Sequence, residues 1–386
     1  MSVTFIHSAD WQLGKPYGSV PDIEKRSRLQ QERLRVVDRI RGLVEQHGAR
    51  FVVLAGDVFD SPSPSKPTVS AGCAAIGKLQ VPVYLIPGNH DHGGPLGFWD
   101  QPFFAREREE LAPNLQVLLK PEPVEIDDAV LLPCPLLRRH EALDLTAWLR
   151  STDGQFASFG AKPRIVIAHG SVQGFGMDAD DEDGGGAPNQ IDLSQLTDSS
   201  FDYIALGDWH GAKQVGAKAW YSGTPELDRF PKGADYGGGQ TLVVTASRGQ
   251  PPIVLMERTA HIGWHGIDQT FLDDADLVTL GKRIDAIVGT RVGEDMLRLE
   301  LSGTLGIGSM HKLDDMLDAW QSRLLRVKLA NKVTMAATAE DILALTQRVQ
   351  DPLIARVATL LADSLENPEM EAMGRVALRE LYAATH

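Results

Sequence analysis

Five short apolar runs in the first 210 residues break off in the same way, and this regularity constrains the fold more than any other feature. They are VTFIH before Asp10, RFVVLAG before Asp57, VPVYLIPG before Asn89, RIVIA before His169 and DYIALG before Asp208. Runs of this length, rich in β-branched residues and bounded by Gly or Pro, read as strands buried on both faces. Between the first two lies a helical pattern, with Val36, Val37, Ile40, Leu43 and Val44 on one side and Gly48 as its stop. Val69, Cys73, Ile76 and Leu79 mark a second helix ahead of the third run. The order strand–helix–strand–helix–strand calls for an α/β fold with a parallel sheet covered by helices. Ligands collect at the carboxyl ends of such strands, and each run delivers its polar cluster there.

Together the strand ends supply Asp10, Asp57, Asn89, His90, Asp91, His169, Asp208 and His210. Hard oxygen donors mixed with imidazoles suit Mn, Fe or Zn, and a shared carboxylate commonly holds two ions about 3.5–4 Å apart. One Asp at a strand end is ordinary turn chemistry, but turns give no reason for a histidine in three of five clusters.

At 386 residues the chain accommodates one large domain and smaller ones, and 43% hydrophobic with 23% charged residues is an ordinary globular composition. No run approaches a membrane span, and VTFIHSAD lacks the pattern of a signal peptide. Cys73 and Cys134 have no metal-binding spacing, so two buried thiols in a reduced, cytoplasmic setting are expected. The net charge of −14 bears on any nucleic-acid role. Tight DNA binding by this chain alone is not expected; bound cations, local Lys/Arg clusters or a partner must supply the positive field.

AWYSGTPE, GGGQTLVVTAS and PPIVLMER read as further strands, expected to form a second sheet. The Gly-rich acidic insertion at 174–190 is not an EF-hand, because Asp183 stands where that loop needs Gly after Asp178, Asp180 and Glu182; it reads as a surface loop. Beyond about residue 260 the chain reads as a small unit of helix–strand–helix–strand type. Three helix starts follow: Thr338 with Asp341, Asp351 before Pro352, and Asn367 before Pro368. The expected domains are 1–258, 259–336 and 337–386.

The motifs DWQ, GDVFD, GNHD, AHG and GDWHG, in this order and spacing, resemble those of the calcineurin-like metallophosphoesterases. Within that superfamily, HSADWQLGKP, GDVFDSPSPS and WYSGTPE are most similar to the SbcD-type DNA repair nucleases. The resemblance covers roughly residues 1 to 260, and beyond that the layout alone matches. It implies a β-sandwich flanked by helices, a small α/β capping domain and a C-terminal helical tail. It also implies two divalent metal ions. One would be held by Asp10, Gln12, Asp57 and His210, the other by Asp57, Asn89, His169 and Asp208, with Asp57 shared. His90 would protonate the leaving oxygen, Asp91 would orient its ring, and a water acidified by the cations would attack phosphorus in line. The implied partners are DNA and an SMC-like ATPase of SbcC type gripped by the C-terminal helices, and a homodimer is expected.

Two positions depart from the SbcD pattern, which has His where Gln12 and Asp208 stand. Both changes move the site from nitrogen towards oxygen donors, so a preference for Mn2+, with Mg2+ next, over Zn2+ is expected, with a loosely held first metal. Alternatively Gln12 binds a water or a neighbouring carboxylate and ligates nothing. His7 reads as a hydrogen-bonded core residue, and His92 as a group behind the site or a loop residue. Asp60 reads as a ligand-orienting group or a turn cap, and Tyr221, Ser222 and Thr224 as support for the ligands or as substrate contacts. Arg323, Arg326, Lys328 and Lys332 form a solvated face or an edge that tracks phosphates. In the tail, Leu353, Ile354, Val357, Leu360, Leu361 and Leu365 form an apolar stripe, continued by Met370, Met373, Val376 and Leu381. It either docks the ATPase or packs on its own domain.

The leading expectation is a two-metal DNA nuclease working with such an ATPase in DNA repair or processing. A phosphodiesterase or phosphatase for a small nucleotide or a phosphoprotein is the alternative, because the same metal core serves both. A non-catalytic scaffold with a decayed site is the third reading, opposed by the retention of Asp57, His90 and Asp91.

Overall fold

The computed structural model describes residues 1–151, 156–172, 189–196, 199–231, 237–335 and 339–385. Thr338 and the acidic positions Asp178, Asp180, Glu182 and Asp183 lie outside the described residues.

All five apolar runs become strands, shared between two sheets. In chain order these are β1 (Ser2–Ser8), β2 (Val52–Ala55), β3 (Val83–Ile86), β4 (Leu115–Val117), β5 (Val124–Glu125), β6 (Val130–Cys134) and β7 (Arg164–His169). The short pair β8 (Ser171–Val172) and β9 (Gln190–Ile191) precedes β10 (Tyr203–Gly207), β11 (Lys213–Gln214), β12 (Ala219–Tyr221), β13 (Gln240–Ser247) and β14 (Ile253–Arg258). One sheet runs β14-β13-β1-β2-β3-β4 and the other β11-β12-β10-β7-β6-β5. Strands β1 to β4 are parallel, as are β6, β7, β10 and β12. The three later runs do not make a second sheet of their own. Strand β12 joins the second sheet, whereas β13 lies antiparallel beside β1 with β14 outside it.

Side chains alternate across each strand. Phe5, Val53, Ile165, Ile167, Tyr203 and Ala205 point between the sheets with Leu242 and Val244. Ile6, Val52 and Leu54 point outward on the first sheet, and Val166, Ala168, Ile204 and Leu206 on the second. Both faces of every central strand are therefore apolar, which is why the runs lack a polar alternation.

Helix α1 (Ile23–His47) covers the outer face of the first sheet with Val36, Val37, Ile40, Leu43 and Val44. Asp22 caps it by accepting from the Glu24 and Lys25 N–H groups at 2.9 and 3.0 Å, and Gly48 ends it at φ 61°. Helices α2 (Lys66–Gly77) and α3 (Pro102–Leu111) add Val69, Cys73, Ile76 and Phe104 to that layer, while the short α4 (Ala147–Ser151) adds Leu149 to the other. Cys73 and Cys134 are free and buried, and burial pushes their thiols up to about 11 and about 12. His7 is fully buried with Nδ1 2.9 Å from the Tyr203 hydroxyl, and burial drives its pKa down to about 3. It is a neutral core residue.

Met1–Ile262 and Gly263–His386 form two compact units. The second opens with β15 (Gly263–Phe271), a strand that the sequence pattern hides because polar residues interrupt its apolar positions. It continues α5 (Ala275–Val288), β16 (Asp295–Leu305), α6 (Ile307–Arg323) and β17 (Arg326–Met335), a parallel sheet ordered β15-β16-β17. Leu277, Leu280, Leu313 and Leu317 bury one face against Leu297, Leu299 and Leu301. Helices α7 (Ala339–Thr346), α8 (Pro352–Ser364) and α9 (Glu371–Ala383) pack Leu345, Ala358 and Leu378 on Ile307. The opposite side of the tail leaves Leu353, Leu360 and Met373 exposed, so the apolar stripe is divided between an inner and an outer face. Among the described residues no helix is long and apolar enough to cross a membrane.

Candidate metal centre

The loops that follow β1 and β2 are laced together by their backbones. The N–H of Asp10 donates to Gly56 C=O at 3.1 Å, that of Gln12 to Asp57 C=O at 2.9 Å and that of Leu13 to Val58 C=O at 2.8 Å. Pairing thus continues past the strand ends while the side chains turn out of the sheet. The cost is conformational: Asp10, Gln12, Asp57 and Asp208 sit at φ 54°, 45°, 55° and 102°, four of the eight described non-glycine residues with positive φ. Each such residue costs on the order of 1–3 kcal/mol, and such strain concentrates at functional sites.

Asp10, Asp57 and His169, all buried, offer ligand atoms within 4.8 Å of one another. Around His169 Nε2 stand Asn89 Oδ1 at 2.9 Å, Asp57 Oδ2 at 3.6 Å and Asp208 Oδ1 at 3.8 Å. The other ring nitrogen, Nδ1, lies 2.7 Å from the Ala55 carbonyl, which holds it as a donor and aims Nε2 at the cluster. Burial alone would lower the His169 pKa, but Asp57, Asp10 and Asp208 outweigh it and push it up to about 9. Burial pushes Asp10 up to about 7, with Asp57 and Asp208 adding and His210 and His169 opposing. Carboxylates, an amide oxygen and imidazoles crowded where negative charge is disfavoured form a donor set that fits divalent cations.

His210 is turned by a residue that no motif marks. Its Nδ1 lies 2.9 Å from Asp228 Oδ2, leaving Nε2 free. Burial works against the charge of Asp228, but His210, Lys15 and Arg33 hold its pKa well below the usual carboxylate range. Arg33, 1% exposed, donates to the Tyr17 hydroxyl at 2.6 Å and to the Trp11 carbonyl at 2.7 Å, so α1 braces the loop that carries Asp10 and Gln12. Gln12 itself accepts from Lys15 Nζ at 2.6 Å through Oε1. Asp228 and Arg33 escape a reading by motif because their partners lie 16 to 22 positions away along the chain.

Asp91 does not orient the His90 ring as expected. Its fully buried carboxylate accepts from the backbone N–H groups of Val58 at 2.8 Å, Phe59 at 3.0 Å and Gly88 at 2.8 Å. It holds the Asp57 and Asn89 loops together, and burial with the nearby Asp57 charge pushes its pKa up to about 6. The ring is held instead by the Asp60 carbonyl, 3.1 Å from His90 Nδ1, leaving Nε2 4.0 Å from Asp57 Oδ2. The Asp60 side chain lies 3.8 Å from Lys15. Tyr221, Ser222 and Thr224 are buried supports: the Tyr221 hydroxyl donates to Gly170 C=O at 2.7 Å, and Thr224 Oγ1 to Asp10 C=O at 2.9 Å. His92 is half-buried, and Lys328 and Lys332 are exposed along β17 in the second unit.

A family model described as calcineurin-like phosphoesterase matches residues 3–230. Among solved structures, TT1561 of Thermus thermophilus is 11% identical, over 58% of this chain and 90% of its own, with a TM-score of 0.38. A dimetal phosphatase from Danio rerio is 12% identical, over 66% of this chain and 99% of its own, with a TM-score of 0.37. GAP50, the anchor in the inner membrane complex of Plasmodium, is 11% identical, over 67% and 85%, with a TM-score of 0.38.

Proposed function

The chain belongs to the calcineurin-like phosphoesterases, a family of metal-dependent phosphoester hydrolases, and on that premise we propose that it hydrolyses DNA phosphodiesters with two divalent cations. One observation carries the chemistry. Oxygens of Asp57, Asn89 and Asp208 gather around His169 Nε2, and beside them the His90 side chain is 37% exposed while those of Asp57 and His169 are 3% and 0%. His90 is the candidate group open to substrate. Its Nδ1 rests on the Asp60 carbonyl, so Nε2 is the atom that delivers a proton to the leaving oxygen. In this proposal Asp57, Asn89, His169 and Asp208 hold one cation, and Asp10, Asp57 and His210, with Gln12, the other. Bound there, the cations supply Lewis acidity and an acidified water. The oxygen-rich donor set favours Mn2+, then Mg2+, over Zn2+.

DNA as substrate rests on the likeness of HSADWQLGKP, GDVFDSPSPS and WYSGTPE to SbcD-type nucleases. With a net charge of −14 the chain needs a partner for DNA affinity, and an SbcC-type ATPase on the outer face of α8 supplies it in this proposal. Leu360, 57% exposed there, gives a test that spares the fold. Leu360→Glu is expected to abolish capture of the ATPase coiled-coil root in a pull-down, with diester turnover within about twofold of wild type. Undiminished capture counts against that face.

The family match admits a second reading, a phosphodiesterase or phosphatase for a small nucleotide or phosphoprotein, substrates with fewer phosphates to set against the net charge of −14. The two separate on labelled duplex DNA, single-stranded DNA and a chromogenic phosphodiester, assayed with Mn2+ on wild type and His90→Ala. On the first reading His90→Ala loses about 10²–10⁴-fold on DNA. Turnover of the chromogenic ester without DNA cleavage selects the second reading. Inactivity of the wild type on every substrate, with or without the ATPase, overturns both.

A further inference from the structure

Lys15 folds back over the edge of the candidate centre. Its Nζ lies 2.6 Å from Gln12 Oε1, 3.2 Å from Asp228 Oδ2 and 3.8 Å from Asp60 Oδ1. Two hydrogen bonds, to Gln12 and Asp228, and the more distant Asp60 charge hold the ammonium in place. Asp228 in turn lies on His210 Nδ1 at 2.9 Å, so the ammonium, Asp228 and His210 form one chain beside Asp10 and Asp57.

We propose that Lys15 claims the Gln12 amide oxygen and so makes the two cation positions unequal, the one built on Asp57, Asn89, His169 and Asp208 tight, the one built on Asp10, Asp57 and His210 weak. This deepens the two-cation reading above and rests on it. An ammonium–oxygen separation of 2.6 Å is just below the roughly 2.7–2.9 Å usual for charge-assisted hydrogen bonds, a close contact. A divalent cation bound about 2.1 Å from the same oxygen would stand about 4 Å from the ammonium, where like charges repel strongly in a site of reduced dielectric. Either the cation or the ammonium has the amide, and the two carboxylates around Nζ favour the ammonium. Three donors are then left at the weak position. At the tight one, three oxygens already surround His169 Nε2, at 2.9, 3.6 and 3.8 Å.

The test is a Mn2+ titration of the full-length, chelator-treated protein, with bound ion counted from the loss of the free Mn2+ electron paramagnetic resonance signal and affinities taken from calorimetry. Wild type is expected to bind one Mn2+ tightly and a second at least tenfold more weakly. Lys15→Met should tighten the second by about tenfold or more, the size expected for releasing a charge-assisted hydrogen bond, and change the first by far less. Lys15→Arg, which keeps the charge, should retain the inequality. In a Gln12→Ala background the gain from Lys15→Met should vanish, because no amide is released. Lys15→Gln replaces Lys15→Met if the latter fails to fold. Equal affinities in wild type, an unchanged second site in the neutral variants, or a gain that survives Gln12→Ala overturns the proposal. Wild type that binds no Mn2+ overturns the two-cation reading itself, an outcome distinct from two equal sites.

Discussion

Asp57→Asn is expected to lower Mn2+-dependent turnover of a chromogenic phosphodiester by about 10³-fold or more, with near-complete loss of paired Mn2+ binding in a titration. Asp57 Oδ2 lies 3.6 Å from His169 Nε2, and Asp57 shares a 4.8 Å cluster with Asp10 and His169, so it borders both proposed cation positions. Removing one shared charge between two cations takes away several kcal/mol of electrostatic stabilisation, and each 1.36 kcal/mol is about tenfold in rate. Stability should move differently. Asn keeps the volume and retains an oxygen for the His90 N–H, which Asp57 Oδ1 accepts at 2.9 Å. The substitution also removes a buried charge that raises the pKa values of Asp10 and Asp91. Against this stands the lost attraction of Asp57 for His169, so the metal-free protein should melt near the wild-type temperature. Activity and stability diverging in this way separates loss of chemistry from loss of fold, and wild-type turnover by Asp57→Asn would refute the shared-ligand role.

Gly207→Ala should cost both fold and metal. At the end of β10 a Cβ on Gly207 would lie 1.9 Å from the Ala55 carbonyl oxygen and 2.7 Å from His169 Nδ1. Those two atoms are bonded to each other at 2.7 Å, and they join the two sheets at the floor of the candidate centre. A methyl group has to push the sheets apart or turn the imidazole. Overpacking of this kind costs about 1–3 kcal/mol, a drop in Tm of about 2–12 °C, and the displaced His169 should weaken Mn2+ binding in the same sample. Gly18→Ala, where a Cβ meets nothing within 4 Å, is the control and should leave both unchanged. A Gly207→Ala protein that melts and binds Mn2+ like wild type would mean that the contact yields at little cost.

The strands were legible because burial on two faces leaves a mark in one dimension. Phe5 and Ile6, or Val53 and Leu54, face opposite cores, so the run is apolar throughout and stops where the sheet stops. The α1 stripe from Val36 to Val44 and its Gly48 stop were legible for the same reason. β13 gave no such sign of its place. Its pattern is that of a strand, but that it lies antiparallel to β1 depends on which edge was open, and that is a property of the assembled sheet. β15 was hidden because His265, Asp268 and Gln269 interrupt its apolar positions.

At the centre the division falls between identity and direction. By itself the sequence determined which donors stand at the strand ends, Asp10, Asp57, Asn89, His90, His169, Asp208 and His210, since period and motif fix where an apolar run ends. Only the tertiary structure decided what each side chain faces. Asp91 went to three backbone N–H groups and the Asp60 carbonyl took the His90 ring. Asp228 turned His210, and Lys15 took the Gln12 oxygen while reaching Asp228 across 213 positions of chain. Most of these bonds join residues far apart in the chain and are chosen by the packing of loops that share no local pattern; a buried polar atom takes whichever partner that packing leaves within reach.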